Sequence, residues 1–288
     1  MSTPLDIVEA IKAKKMVKVS DIARTIEEFA PKSLQESYDN TGLQVGNPDM
    51  QVTAALLCLD ITEEILDEAI QRQCNLVITH HPLIFRGLKE ITGRTAIERI
   101  VAKAIRHDVA IYSAHTNLDS AWDGVSHEMA HMLNMTDLQV LEPKNSEGTT
   151  GIGIIGNLRP TPKLEFLRKV KETFGVKALK YSVQSPQLVV KRVALCGGSG
   201  ASLILDAANA GADAIITGDV KYHDFTAYGL DIIIADIGHY ESELCACKIF
   251  SRIIRDKYPD CLLYFSDSET NPVGVLSLIH ISEPTRPY

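Results

Sequence analysis

Three strand-like runs in this sequence each end in side chains that can bind a metal ion. Leu76-Val77-Ile78-Thr79 runs into His80-His81-Pro82, and the proline breaks the chain. Val109–Ser113 leads to His115, with Asp119 four residues on, and Ile232–Ala235 leads to His239, with Glu243 four residues on. Ligands in open α/β sheets collect beyond the carboxyl ends of the strands, and imidazole is the commonest metal-binding side chain. A single histidine pair in a loop is often only a solvent-facing pair; the recurrence at three strand ends points to a site. Mixed imidazole and carboxylate donors suit Zn, Mn, Fe or Co rather than Ca, which prefers oxygen alone.

His80, His81, Asp119, His239 and Glu243 make five donors, more than the three that a single catalytic ion commonly uses. Five suit two divalent ions about 3.5–4 Å apart if one carboxylate bridges them. Glu243, one helical turn beyond His239, is the best placed to do so. Such a pair activates water and clamps both oxygens of a displacement, so hydrolysis of a phosphoester, amide-like or ring C–N bond is the matching chemistry. His115 is a candidate for orienting Asp119 or the water, and His223, in Thr217–Asp224, for shuttling a proton. Lys221 and Gly197-Gly198-Ser199-Gly200 offer phosphate contacts, although the glycine run lacks the Lys-Ser/Thr of a P-loop and reads first as a tight turn. In the turn-rich loop Ser37–Met50, Asp39 and Asn40 either shape the turns or orient ligands. His107, His127 and His131 read as ordinary polar positions on helix surfaces.

These donors need a scaffold, and the hydrophobic pattern supplies one. Ser20 is placed to cap a helix to Phe29. Strand Val52–Leu59, helix Thr62–Arg72, the His80 strand, helix Thr95–His107, the His115 strand and helix Gly124–Leu133 alternate as βαβ units do. Between Leu141 and Gln187 the rhythm changes to strands at Gly151–Leu158 and Ala178–Val183 around a helix Pro162–Phe174. The first pattern then restarts: Leu57-Cys58 matches Leu195-Cys196 and Ile78-Thr79 matches Ile216-Thr217, both at an offset of 138 (195 − 57 and 216 − 78). The expected fold is α/β: two similar α/β lobes with mixed sheets, related by an internal repeat, with the metal cleft between them. The first lobe is expected over residues 16–140, a β-rich connecting segment over 141–190, and the second lobe over 191–275. Residues 1–15 read as an upstream extension before Met16. Residues 276–288 resemble the translation of a sequencing adapter, so they are set aside, His280 included.

At 288 residues, one large or two medium domains are expected. The net charge of −8 argues against a surface that coats nucleic acid. No apolar run reaches the ~18 residues of a membrane span and no signal peptide is evident, so a cytoplasmic location is expected. The six cysteines show no CxxC spacing. Cys58, Cys196 and Cys261 lie in apolar runs and read as small core residues.

Taken together, His80-His81-Pro82, His115-Thr116-Asn117-Leu118-Asp119 and Gly238-His239-Tyr240-Glu241-Ser242-Glu243 resemble motifs of the NIF-three-like dinuclear-metal-centre proteins, also called GTP cyclohydrolase 1 type 2 homologs. Tyr38–Gly46 and Thr217–His223 match that family's other two motifs, and the likeness runs from about Met16 to Val275. The resemblance implies two similar α/β domains and two divalent metals per chain (Zn, Fe, Mn or Co). Its implied ligands are His80, His81, Asp119, His239 and a bridging Glu243. It also implies a ring-shaped homohexamer of stacked trimers. A metal-dependent hydrolase acting on a nucleotide or phosphoester is the leading expectation. The alternative is a metal-stabilised ring scaffold or regulatory protein without turnover, including one that binds single-stranded DNA; a metal-storage or chaperone role is a third reading.

Overall fold

The structure is a computed structural model and describes residues 17–276. The expected upstream extension and all of the adapter-like tail but Leu276 lie outside it. Helix α1 (Val19–Phe29) comes first, then strands β1 (Gly42–Val45) and β2 (Ala55–Cys58), helix α2 (Glu63–Gln71) and strand β3 (Leu76–Thr79). Helix α3 (Ala96–Arg106), strand β4 (Ala110–Ser113), the one-turn helix α4 (Thr116–Ser120) and helix α5 (Val125–Met132) follow. The starts of α2 and α3 follow from their caps: Thr62 accepts from the Ile65 amide and Thr95 from the Glu98 amide. Ser20 does not cap α1. The helix begins two residues earlier than a Ser20 cap would set it, after Lys18, whose N–H donates to the Asp21 carboxylate at 3.1 Å.

The second half opens with β5 (Thr136–Pro143), β6 (Gly151–Pro162), α6 (Lys163–Thr173) and β7 (Lys180–Tyr181). Strand β8 (Val189–Leu195), the short helix α7 (Ile204–Asn209), β9 (Ala214–Thr217), α8 (Tyr222–Tyr228), β10 (Ile233–Asp236) and the one-turn helix α9 (His239–Glu243) complete it. Helix α10 (Ala246–Lys257) and strand β11 (Leu263–Phe265) then return to the first sheet.

Two compact units result. Of the described residues, one holds 17–128 together with Pro143–Ile152 and Leu244–Glu269; the other holds Met129–Glu142, Gly153–Glu243 and 270–276. The first unit's sheet runs β1-β4-β3-β2-β11, with β11, β2, β3 and β4 parallel and β1 antiparallel at the edge. Strands β2, β3 and β4 are buried at every position. A parallel sheet covered on both faces gives that pattern of unbroken apolar runs. On one face Leu56, Val77 and Ile111 pack with Ile65 and Leu66 of α2 and Ile100 and Val101 of α3. Helix α10 lies against α1 and β2.

The second unit's sheet runs β5-β6-β8-β9-β10-β7. Its β8, β9 and β10 are parallel, and β7 lies antiparallel on β10 as β1 does on β4. The two expected α/β lobes with mixed sheets are therefore present, and they share a four-strand plan: three parallel strands and one antiparallel edge. Strand β1 lies inside a stretch read as loop. It is four residues long, bracketed by Gly42 and Gly46, and held only at an edge with a break in register, too little to give a periodic signal. Among the described residues no helix is long and apolar enough to cross a membrane.

Candidate metal centre

In the first unit the donors follow the carboxyl ends of β3 and β4, as expected for an α/β sheet. Beyond β3 the ladder continues: the His80 amide donates to Cys58 O and the His81 amide to Leu59 O. The Thr79 hydroxyl donates to His81 O at 2.7 Å and closes the turn. Adjacent side chains on an extended strand point to opposite faces, but this turn brings both rings to one side, with centroids 5.2 Å apart. His115, at the start of α4, completes a triangle at 5.3 Å from His80 and 5.4 Å from His81. The three imidazoles each offer a nitrogen within 4.8 Å of the others and could hold a metal ion. One turn along α4, Asp119 brings Oδ1 to 3.6 Å from His80 Nε2.

Each ring is turned by a partner on its other nitrogen. His80 Nδ1 lies 2.9 Å from Ala114 O, His81 Nδ1 2.9 Å from Asp60 Oδ1, and His115 Nδ1 2.8 Å from Asp39 Oδ1. A carbonyl or carboxylate oxygen only accepts, so Nδ1 carries the proton and Nε2 is left as the metal-type donor. Asp39 therefore does what one reading of its loop suggested: it orients. Its second oxygen accepts the Thr116 amide and hydroxyl. Burial alone would raise the Asp39 carboxyl, but the bonds from His115 and Thr116 outweigh it and hold the carboxyl well below the usual range. Asp60 was not legible as a partner, because it stands alone in a βα loop. Both oxygens of Glu269, 210 residues along the chain, accept the neighbouring Leu59 amide at 2.9 Å.

In the second unit the donors follow β10. His239 and Glu243 are four apart in α9, and Nε2 lies 2.9 Å from Glu243 Oε2. His239 Nδ1 is held 2.7 Å from Asp219 Oδ2, a residue just past β9. With Nδ1 donating to Asp219, Nε2 and the carboxylate face each other as two electron-pair donors. A cation, or a second proton on the ring, fits between them.

Room for this pair is made by the loop after β8. A Cβ on Gly198 would sit 2.1 Å from Glu243 Oε1, and its φ of +62° favours glycine. The Gly198 amide donates to the Ser242 hydroxyl and the Gly200 amide to the Thr217 hydroxyl, both at 2.9 Å. Those amides are taken inside the fold, so the 197–200 run is a tight turn against α9, and these two amides do not serve as a phosphate cradle. The donors present, imidazole nitrogens and carboxylates with oriented rings and space kept for them, are of the kind that could hold a metal ion.

Other candidates fall elsewhere. His223 is exposed in α8, edge-on to the Tyr222 ring, and Lys221 is exposed at the start of the same helix. His127 was expected on a helix surface, yet it is 2 % exposed, with its ring 4.1 Å from Trp122. It sits on the inward face of α5 beside Ser126 and Ala130, which the short helix did not reveal. Burial pushes the Cys58 and Cys247 thiols well up, so both stay protonated core residues.

A β-sheet pair of this plan defines an α/β protein with oriented imidazoles at its strand ends that could hold a metal ion. The chain belongs to the family described as Duf34/NIF3 (NGG1p interacting factor 3), whose model matches residues 17–272. It is 38% identical over 231 residues to a GTP cyclohydrolase 1 type 2 homolog of Clostridium perfringens, covering 79% of this chain and 87% of that one. With the homolog so named from Lactococcus lactis it shares 37% over 265 residues, 89% of this chain and 98% of the other. The solved Bacillus cereus protein related to NIF3 is similar with a TM-score of 0.83 and 26% identity, covering 91% of this chain and all of that chain.

Proposed function

We propose that this protein is a dinuclear metal-dependent hydrolase acting on a nucleotide or phosphoester. His80, His81, Asp119, His239 and Glu243 would hold two divalent ions, with Glu243 bridging. The observation that carries this reading is the set of four imidazoles, each with Nδ1 tied to an oxygen acceptor. Ring-orienting partners of this kind accompany metal-binding histidines and raise their basicity. The name shared by the relatives supports a nucleotide as the substrate class.

Divalent ions held there supply Lewis acidity for a phosphoryl or C–N centre. The chain's own residues do the positioning. Asp60, Asp39 and Asp219 fix the rings of His81, His115 and His239. His115, half-buried beside His80 and His81, is placed to orient a water or take its proton. Exposed His223 is a second proton carrier. In this reading the working form is cytoplasmic, a ring-shaped homohexamer of stacked trimers.

Turnover of a panel of nucleotides and phosphoesters by metal-loaded wild type and Glu243→Gln tests the proposal, with the oligomer checked in both. A hydrolase loses turnover by orders of magnitude in the variant. Wild type that turns over nothing, while wild type and variant retain the same partner or single-stranded DNA, would favour the scaffold reading.

A further inference from the structure

Two large aromatic side chains stand exposed beside the imidazole triangle. Tyr38 is 64% exposed and Phe85 42%. Their rings lie 6.3 Å apart at 57°, and the Phe85 ring is also 6.3 Å from that of His115, at 76°. Neither ring belongs to the apolar core cluster around β2, β3 and β4. Both belong to loops that already serve the site: Tyr38 precedes the His115-orienting Asp39, and Phe85 follows His81 by four residues.

The two loops are fastened to each other through the peptide groups of one residue. The Ile84 amide donates to Gln44 Oε1 at 2.8 Å, and Ile84 O accepts from Asn40 Nδ2 at 2.5 Å. The Gln44 amide group in turn donates to Asn40 O at 2.7 Å. Two side-chain bonds therefore tie the loops together beside the exposed Phe85 ring, and a third braces Gln44 against Asn40. Leaving an apolar ring in water is unfavourable by itself, and a pre-set pair of π faces is a ready surface for a flat ring, because stacking needs no matching hydrogen bonds.

We infer that Tyr38 and Phe85 form a stacking platform for a planar heteroaromatic ring, such as a nucleobase, that seats the substrate with its reacting bond towards the metal donors. The inference rests on the hydrolase reading above and adds to it which part of the substrate is recognised, and by which residues. Asn40 and Gln44 are positioning residues: they act through Ile84 on the Phe85 loop.

Binding of two probes to metal-loaded protein separates the contributions: guanosine, which has the ring, and ribose 5-phosphate, which lacks it. Isothermal titration should show guanosine binding weakened about 10-fold in Tyr38→Ala and in Phe85→Ala, and retained in Tyr38→Phe and Phe85→Trp. Ribose 5-phosphate binding, metal content and oligomer size should stay as in wild type. Wild type that does not bind guanosine, or alanine variants that bind it as tightly as wild type, would overturn the platform. So would a variant that loses metal, ribose 5-phosphate binding or its oligomer together with guanosine, since the rings would then be structural or part of an interface. Ring-dependent binding with no turnover of any substrate supports the platform while removing the hydrolase, so the two failures read differently.

Discussion

The two units share a strand plan but carry different donors, and the difference is sharpest at positions 138 residues apart. Where the first unit has His80, the second has Gly218; where the first has Asp60, the second has Gly198 (218 − 80 and 198 − 60). Both glycines make way for α9. A Cβ on Gly218 would sit 2.8 Å from the His239 amide nitrogen, and one on Gly198 would collide with Glu243. In the first unit the β3 turn presents two rings and the β4 side adds His115 and Asp119. In the second unit the β9 turn gives up its ring and contributes Asp219, which aims the ring carried by α9. One scaffold thus carries its rings at two strand ends in the first unit and on the helix after β10 in the second. What stays common is the threonine closing the strand: Thr79 bonds His81 O, and Thr217 bonds Gly198 O.

The comparison breaks most visibly at Gly198. Gly198→Ala places a methyl group against Glu243 in a left-handed conformation, and should cost about 1–3 kcal/mol of stability. It should also abolish metal retention in a chelator competition, which urea unfolding and metal analysis together would show. An unchanged variant would mean that α9 is not held as described. Next in size are the ring-orienting carboxylates. Asp60→Asn and Asp219→Asn should each weaken metal affinity by about 10–100-fold, with little change in thermal midpoint. Equal losses would confirm that the two units aim their rings by the same device; a loss from only one would confine it to that unit.

The threonines test the shared part. Thr79→Val and Thr217→Val each remove a hydroxyl with buried bonds and should cost about 1–2 kcal/mol in denaturant unfolding, by similar amounts in the two units. The smallest effect is on the pH profile of the first unit. The Glu68 carboxyl faces burial that opposes ionisation, but bonds from Ser266, Asp267 and Ser268 outweigh it and bring it down to about 2. Its folded value lies below its ordinary 4.5, so its contribution is full above pH 4.5 and fades as pH falls towards 2. Stability measured across that window should fall less steeply in Glu68→Gln than in wild type.

Much of this arrangement was legible in the sequence because buried parallel strands leave a strong mark. The runs at 76–79, 110–113, 214–217 and 233–236 are mostly apolar, and histidines follow the carboxyl ends of the first, second and fourth. Helices with side-chain caps, such as those after Thr62 and Thr95, were equally plain. What did not show was set by contacts between distant residues. Strand β1 exists only through its pairing with β4. Asp60 and Asp219 gain their roles from rings about 20 residues away in sequence, and nothing local distinguishes them from other loop aspartates. His127 is buried by the packing of a short helix, not by any pattern of its own. The glycine run at 197–200 carries the look of an anion loop, yet its glycines serve close packing and two of its amides are taken internally.

Counting metal ions per chain in wild type and in Glu243→Gln, purified side by side without added metal, probes the proposed ligand assignment most directly. The account predicts two ions in wild type and loss of both, or retention of no more than one weakly held, in the variant. A single ion per chain in wild type, or two ions kept by Glu243→Gln, would contradict it.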